Sequence, residues 1–409
     1  MTINIVPFFS VLASEDLKEE VLKEIEQEGI RITKSMQDIP SGEPVYLFIG
    51  TGGTESDVVT FLKMSKLSSP IIILSYDQRN SLPAAMEIRA YLEKKGIEAR
   101  IIHKPIEHLH ALLGRWSKYS EIAEKLNSSK LGVIGETSPW LIASGVDPVK
   151  VKSRWGLEMI SIPIGNLTEK LPQETSSEFA KHVSEFQSCA DSQSVSDEEI
   201  AKAGIVAERI EKISEEYNLD AVSVQCFTLL MDTGISGCFS LSFLNDKEEF
   251  VAGCEGDIPA TFTMLLSKML TNTPSFMANV ASVDQELNTA VFAHCTIPTS
   301  ITERYEITNH FETGMSVGVR GKLPLTEVTI VKVFGEDLSD YWVSGGTIID
   351  NLVNDKGCRT QIRVAMDEPV DYFLEDSLAN HHIVVLGDLQ HEFIGFLEYI
   401  KELRKSMNT

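Results

Sequence analysis

Apolar residues recur in two alternating rhythms along the first 130 positions. Short apolar runs, Thr2 to Phe8, Val45 to Ile49, Pro70 to Leu74 and Ala99 to His103, predict buried strands. Between them, Leu17 to Gln27 and Pro83 to Lys95 read as amphipathic helices, with Leu17, Val21 and Ile25 on one face of the first. This strand–helix alternation predicts a parallel, doubly wound sheet. A longer helix, Ile106 to Leu126, ends at Asn127-Ser128-Ser129, and a fresh strand begins at Leu131 to Ile134. A first domain is therefore expected over 1–128.

The rhythm then resumes. Gln173 to Ser196 is Ser- and Gln-rich and weakly periodic, so it reads as a loop or a solvated helix. Glu198 to Tyr217 predicts a long amphipathic helix, and Ala221 to Cys226 a strand. The apolar Phe250-Val251-Ala252 predicts a strand that delivers Glu255. Asp257-Ile258-Pro259 then opens a helix, an acid in its first turn and a proline where a missing N–H costs nothing. Phe262, Leu265, Leu266 and Leu270 line one face of it. Met277 to Val280 reads as a turn, and Val291 to Cys295 as a buried strand. Past residue 296 the helical pattern thins. Thr326 to Val333 and Thr360 to Val364 read as strands among glycine turns, and Glu392 to Arg404 as a final helix. The expected architecture is α/β: two doubly wound parallel-sheet domains, 1–128 and 129–290, then a β-rich, barrel-like C-terminal domain, 291–409.

At 409 residues the chain exceeds what one core serves, which agrees with several domains. A net charge of −24 argues against nucleic acid and anionic membrane as partners, both of which call for basic surface. No 18-residue apolar run occurs and the N-terminus has no basic start, so a cytoplasmic protein is expected. The six cysteines, at 189, 226, 238, 254, 295 and 358, form no CxxC pair and read as reduced thiols.

The candidate chemistry gathers in Gly253 to Pro298. Glu255 follows an apolar strand, at the edge where open α/β sheets place ligand-binding groups. Asp257 is either a helix cap or a second acid of the site. A lone histidine, His294, interrupts an apolar strand. Carboxylate, amide and imidazole at the ends of successive elements suit a divalent cation. Elsewhere, Gly50 to Thr54 lacks the lysine of a P-loop and reads either as a plain turn or as a turn lining a polar ligand. His108 and His110, two apart in a helix, point to different faces and share no metal. His310 and Glu312, in Asn309 to Gly314, read either as substrate-facing or as a satisfied turn.

Glu255-Gly256-Asp257, Phe276-Met277-Ala278-Asn279, His294 and Asn380-His381-His382-Ile383-Val384, in that order, resemble the metal-binding core of the L-fucose and L-arabinose isomerases. The likeness runs from about Leu131 to the C-terminus. It implies a metal-dependent aldose–ketose isomerase working through a cis-enediol, with a sugar as partner and assembly as a homotrimer or homohexamer. It implies Glu255, His294 and His382 as metal ligands, His382 being preferred over His381 because adjacent strand residues face opposite ways. That set suits Mn²⁺, Fe²⁺, Co²⁺ or Zn²⁺, with manganese the expected ion. Glu255 is the expected base and Asp257 its reserve. Trp140 and Gln225, in loops after strands, are expected against the sugar. Asn279 falls where the family has a second carboxylate. An amide there can touch a ligand but cannot act as a base, so the alternative is a sugar-binding protein that kept the isomerase fold without its chemistry.

Overall fold

Strand Ile71–Ser75 is buried at every position, as a strand covered by helices on both faces must be. It lies inside a five-stranded parallel sheet, ordered Ile30–Ile32, Ile3–Phe8, Val45–Ile49, Ile71–Ser75, Ala99–His103. Helix Ser81–Lys94 covers it with Ala84, Ala85, Ile88 and Leu92, four-residue steps that keep one face apolar. These features come from a computed structural model that describes residues 3–26, 30–33, 45–64, 71–97, 99–169 and 171–404. Thr2, Gln27 and Pro70, which bound predicted elements, lie outside the described residues. The sheet belongs to one of two units, formed by the chain to Lys125 and from Phe396 onward; Leu126–Gly395 forms the other.

Gly50 to Thr54 in the first unit is tied to its own surroundings. The N–H groups of Gly50 and Gly52 donate to Phe8 O and Arg79 O, both at 2.8 Å. Two donors that a ligand reading needs are thus spent on backbone carbonyls outside the turn.

The second unit opens with a four-stranded parallel sheet, ordered Val251–Gly253, Ala221–Val224, Lys130–Ile134, Glu158–Ile162. Its C-terminal edge collects three loops: Gly135 to Trp140, Gln225-Cys226 and Cys254 to Asp257. Helix Ile258–Thr271 leaves this edge, capped by the Asp257 side chain on Ala260 N–H at 2.9 Å. Nearly all of it is buried, as a helix apolar on every side must be. It packs against strands of a closed six-stranded antiparallel barrel: Phe276–Asp284, Thr289–His294, Thr360–Met366, Asp340–Asn351, Glu327–Phe334 and His382–Leu386. Phe276, Phe292, Ile330, Ile362 and Val384 belong to the apolar core within it. The expected α/β class with a β-barrel is the class observed.

Three details differ from the sequence reading. Met277 to Val280 is no turn but lies in a nine-residue barrel strand, Phe276–Asp284, so the barrel begins before residue 291. Gln173 to Ser196 holds helix Ser177–Ser188, which buries Phe179, Val183 and Phe186 at helical spacing beneath a polar outer face. Ser192–Gln193 then pairs in parallel with Arg304–Thr308. Among the described residues no helix is long and apolar enough to cross a membrane.

Candidate metal centre and its cavity

Glu255, His294 and His381 each offer one ligand atom, and these atoms lie within 4.8 Å of one another. Three elements deliver them. Glu255 stands just past strand Val251–Gly253 with a φ of 63°, and Gly256 follows at 64°. Two consecutive left-handed residues reverse the chain at the sheet edge, and only glycine takes this conformation without cost. A Cβ on Gly256 would also meet Glu136 O at 2.3 Å. Ser138 N–H donates to Glu255 O at 2.9 Å, fastening the turn to the neighbouring loop. From that loop Trp140 Nε1–H reaches Glu255 Oε2 at 2.6 Å.

His294 ends its barrel strand, 4% exposed. Its Nδ1 pairs with Thr296 Oγ1 at 2.8 Å, which leaves Nε2 for a ligand. Burial first, and then the facing His381, hold its pKa down to about 4, so the ring is neutral and ligation-competent near pH 7.

His381 is wholly buried. Its Nδ1 meets Asp257 Oδ2 at 2.9 Å, while its Nε2 stands 3.7 Å from Glu255 Oε1 without a hydrogen-bond partner. Burial works against ionising Asp257, but the Lys332 ammonium and the His381 hydrogen bond outweigh it and hold the carboxyl down to about 2. An ionised carboxylate only accepts, so Nδ1 carries the proton and Nε2 presents its lone pair. A buried imidazole whose far nitrogen is oriented by a carboxylate, and whose near nitrogen is unsatisfied, is the arrangement that metal-binding histidines use.

The structure therefore brings His381, and not His382, to this group. His382 pairs with Ala278 across the barrel ladder and faces inward with Val384. Its Nε2 contacts Tyr372 OH at 3.1 Å and its Nδ1 the Asn380 carbonyl at 2.7 Å, so both nitrogens are engaged. Trp342, Tyr372 and Phe373 surround the ring edge-on. Burial, reinforced by Lys332, pushes its pKa down to about 3. Adjacent strand residues do face opposite ways, and the barrel register decides which histidine looks which way.

Beside the three ligand groups lies a cavity of about 330 Å³. Glu255 and His294 line it, with Trp140, Asn279, Asn380 and Glu312. Trp140 is half-exposed and packs edge-on against Phe227, ring centroids 4.8 Å apart. Asn279 Oδ1 accepts from Asn380 Nδ2 at 2.5 Å, and its Nδ2 donates to Ala293 O at 3.3 Å. Two expectations are corrected here. Asp257 is wholly buried with its carboxylate on His381 Nδ1, and is not among the residues that line the cavity. Gln225 does not line it either; its Oε1 accepts from Glu136 N–H at 3.1 Å and props the sheet-edge loop. Sequence reading missed Phe227, which carried no signal beyond a helical apolar position. It also left His310 and Glu312 open, and both line the cavity.

No family model matches the sequence. Among curated proteins, the chain is similar to several named sulfoquinovose isomerase. The protein of Priestia aryabhattai is 24% identical over 177 residues, 42% of this chain and 39% of that one. That of Clostridium sp. (strain MSTE9) is 22% identical over 355 residues, 80% of this chain and 74% of that one. That of Alkalicoccus urumqiensis is 22% identical over 185 residues, 45% and 42% of the two chains. The match thus spans about two fifths of the Priestia protein's length.

Proposed function

We propose that this chain is a divalent-metal-dependent aldose–ketose isomerase. The observation that carries the reading is the unsatisfied, carboxylate-oriented Nε2 of His381, set beside Glu255 and His294 at the wall of a sugar-sized cavity. One carboxylate and two neutral imidazoles suit Mn²⁺, Fe²⁺, Co²⁺ or Zn²⁺ and leave coordination positions for a substrate. The motif resemblance to L-fucose and L-arabinose isomerases supports the same class, as do relatives named for isomerising a sulfonated sugar.

Glu255, His294 and His381 would hold the cation. When bound, a divalent ion stabilises negative charge developing on adjacent carbonyl and hydroxyl oxygens. The chain's own residues supply the rest. Asp257 holds the His381 tautomer, and Trp140 fixes one Glu255 oxygen. Asn279 and Asn380 present amides to sugar hydroxyls. Moving a proton between C1 and C2 through an enediol needs a carboxylate at the cavity wall, and Glu255 and Glu312 are the two found among its lining residues.

One observation favours a second reading. Asn279 occupies the acidic position of the resemblance and its amide oxygen is bound to Asn380, which fits a sugar-binding protein without turnover. Purified protein loaded with Mn²⁺ and offered a panel of aldoses, sulfoquinovose included, separates the two. Ketose formation by the wild type, abolished in a folded Glu255→Gln variant, supports the isomerase. Sugar binding without ketose formation supports the alternative. Cytoplasmic location and assembly as a homotrimer or homohexamer remain part of this proposal, the assembly to be read by sedimentation.

A further inference from the structure

Five of the six cysteines, 226, 238, 254, 295 and 358, line the cavity, although the sequence scatters them over 133 positions (358 − 226 + 1). Four are buried, and Cys358 is partly exposed. They fall into two neighbouring sets. Cys226 meets Cys254, while Cys295 meets both Cys238 and Cys358. Cys295 follows His294 at the end of its strand, and Cys358 precedes the neighbouring strand, with His294 opposite Thr360 in the ladder. The backbone N–H of Arg359 donates to Cys295 Sγ at 3.3 Å, which keeps the Cys358 segment against that sulfur. No reaction step outlined above uses either thiol.

We propose that Cys358 and Cys295 are a peroxide-oxidisable pair in the cavity wall. One sulfur of the pair, as its thiolate, attacks a peroxide oxygen, giving a sulfenic acid and one water from H₂O₂. The other thiol then attacks that sulfur, forming the disulfide and releasing a second water. Two thiols lose two electrons and two protons, and the peroxide is reduced to two waters. Because Cys295 is joined directly to His294, the cross-link displaces an imidazole of the cation group, so oxidation shuts down cation uptake and a dithiol restores it. The second half of this inference rests on the proposed metal centre; the first half does not.

The full-length Cys189→Ser protein serves as background, since Cys189 is exposed and absent from the cavity wall. It is treated with H₂O₂, alkylated and mapped by mass spectrometry, and Mn²⁺ uptake is measured by equilibrium dialysis. The expected result is a peptide pair linking Cys295 to Cys358, two hydrogens lighter, with Mn²⁺ affinity at least about tenfold lower and both changes reversed by dithiothreitol. Adding Cys358→Ser, at a partly exposed site that tolerates the change, removes the cross-link and the peroxide effect. Both thiols remaining alkylatable, or a cross-link at Cys226–Cys254 or Cys238–Cys295 in their place, overturns the pairing. A mapped Cys295–Cys358 bond with unchanged Mn²⁺ affinity overturns the coupling. If the reduced protein takes up no Mn²⁺, the metal-centre reading fails and the pairing is judged on the cross-link.

Discussion

The Asp257 carboxylate stands 2.9 Å from Nδ1 of His381, and this contact decides which nitrogen of the ring faces Glu255 and His294. Asp257 also caps helix Ile258–Thr271 through its other oxygen. One side chain thus fixes the start of a buried helix and the tautomer of a candidate ligand. That coupling explains how a carboxylate stays ionised in a fully buried place: two donors and the nearby Lys332 offset its desolvation.

Asp257→Asn tests the tautomer argument. Asparagine is as good a cap as aspartate, so the helix survives. Its amide can donate as well as accept, which frees the His381 proton to move to Nε2 and block the lone pair. Mn²⁺ affinity falls about 10- to 100-fold with the circular dichroism spectrum unchanged. An unaltered affinity would show that Asp257 does not orient the ring.

Trp140→Phe keeps an aromatic ring against Phe227 and removes the N–H bound to Glu255. Trp140 is half-exposed, so water can replace that donor. The loss of Mn²⁺ affinity should stay below about tenfold, smaller than for Asp257→Asn. The reverse order of effects would contradict the placing of the two residues.

Gly256→Ala places a methyl against the Glu136 carbonyl, at a φ where side chains are strained. Both effects act on the turn that carries Glu255. The variant should lose more than about 1 kcal/mol of stability and bind Mn²⁺ weakly, as read by urea unfolding and dialysis.

His294 and His382 give a pH dependence with a definite sign. Their folded pKa values, about 4 and about 3, lie below the unfolded value near 6.5. Unfolded chains take up protons that the folded protein refuses. The stabilising contribution is complete above pH 6.5 and is lost as pH falls toward 4 and then 3. Chelator-treated protein should therefore lose stability on acidification below pH 6.5, by up to about 2.7 kcal/mol per pH unit when both rings differ. His382→Asn should remove about half of that slope. Stability rising between pH 6.5 and 5 would contradict the neutral, buried state of these rings.

Much of the α/β pattern was readable because its signals are local. Periodicity marked the parallel strands, and Asp257-Ile258-Pro259 announced a helix start. Glu255 and His294 were legible for the same reason, as polar residues where an apolar strand ends. The choice between His381 and His382 was not, because it depends on pairing with Ala278, more than a hundred residues away. The grouping of five cysteines around one cavity likewise comes from the barrel's closure, which no spacing in the chain displays. Met277 to Val280 was misread because the strand that pairs with its start, His382–Leu386, lies more than a hundred residues further on.

The most direct test is anomalous diffraction at the manganese edge from crystals soaked in Mn²⁺. The account predicts one strong peak within bonding distance of Glu255 Oε, His294 Nε2 and His381 Nε2, with His382 left against Tyr372. A peak bound by His382, or none at these three side chains, would contradict it.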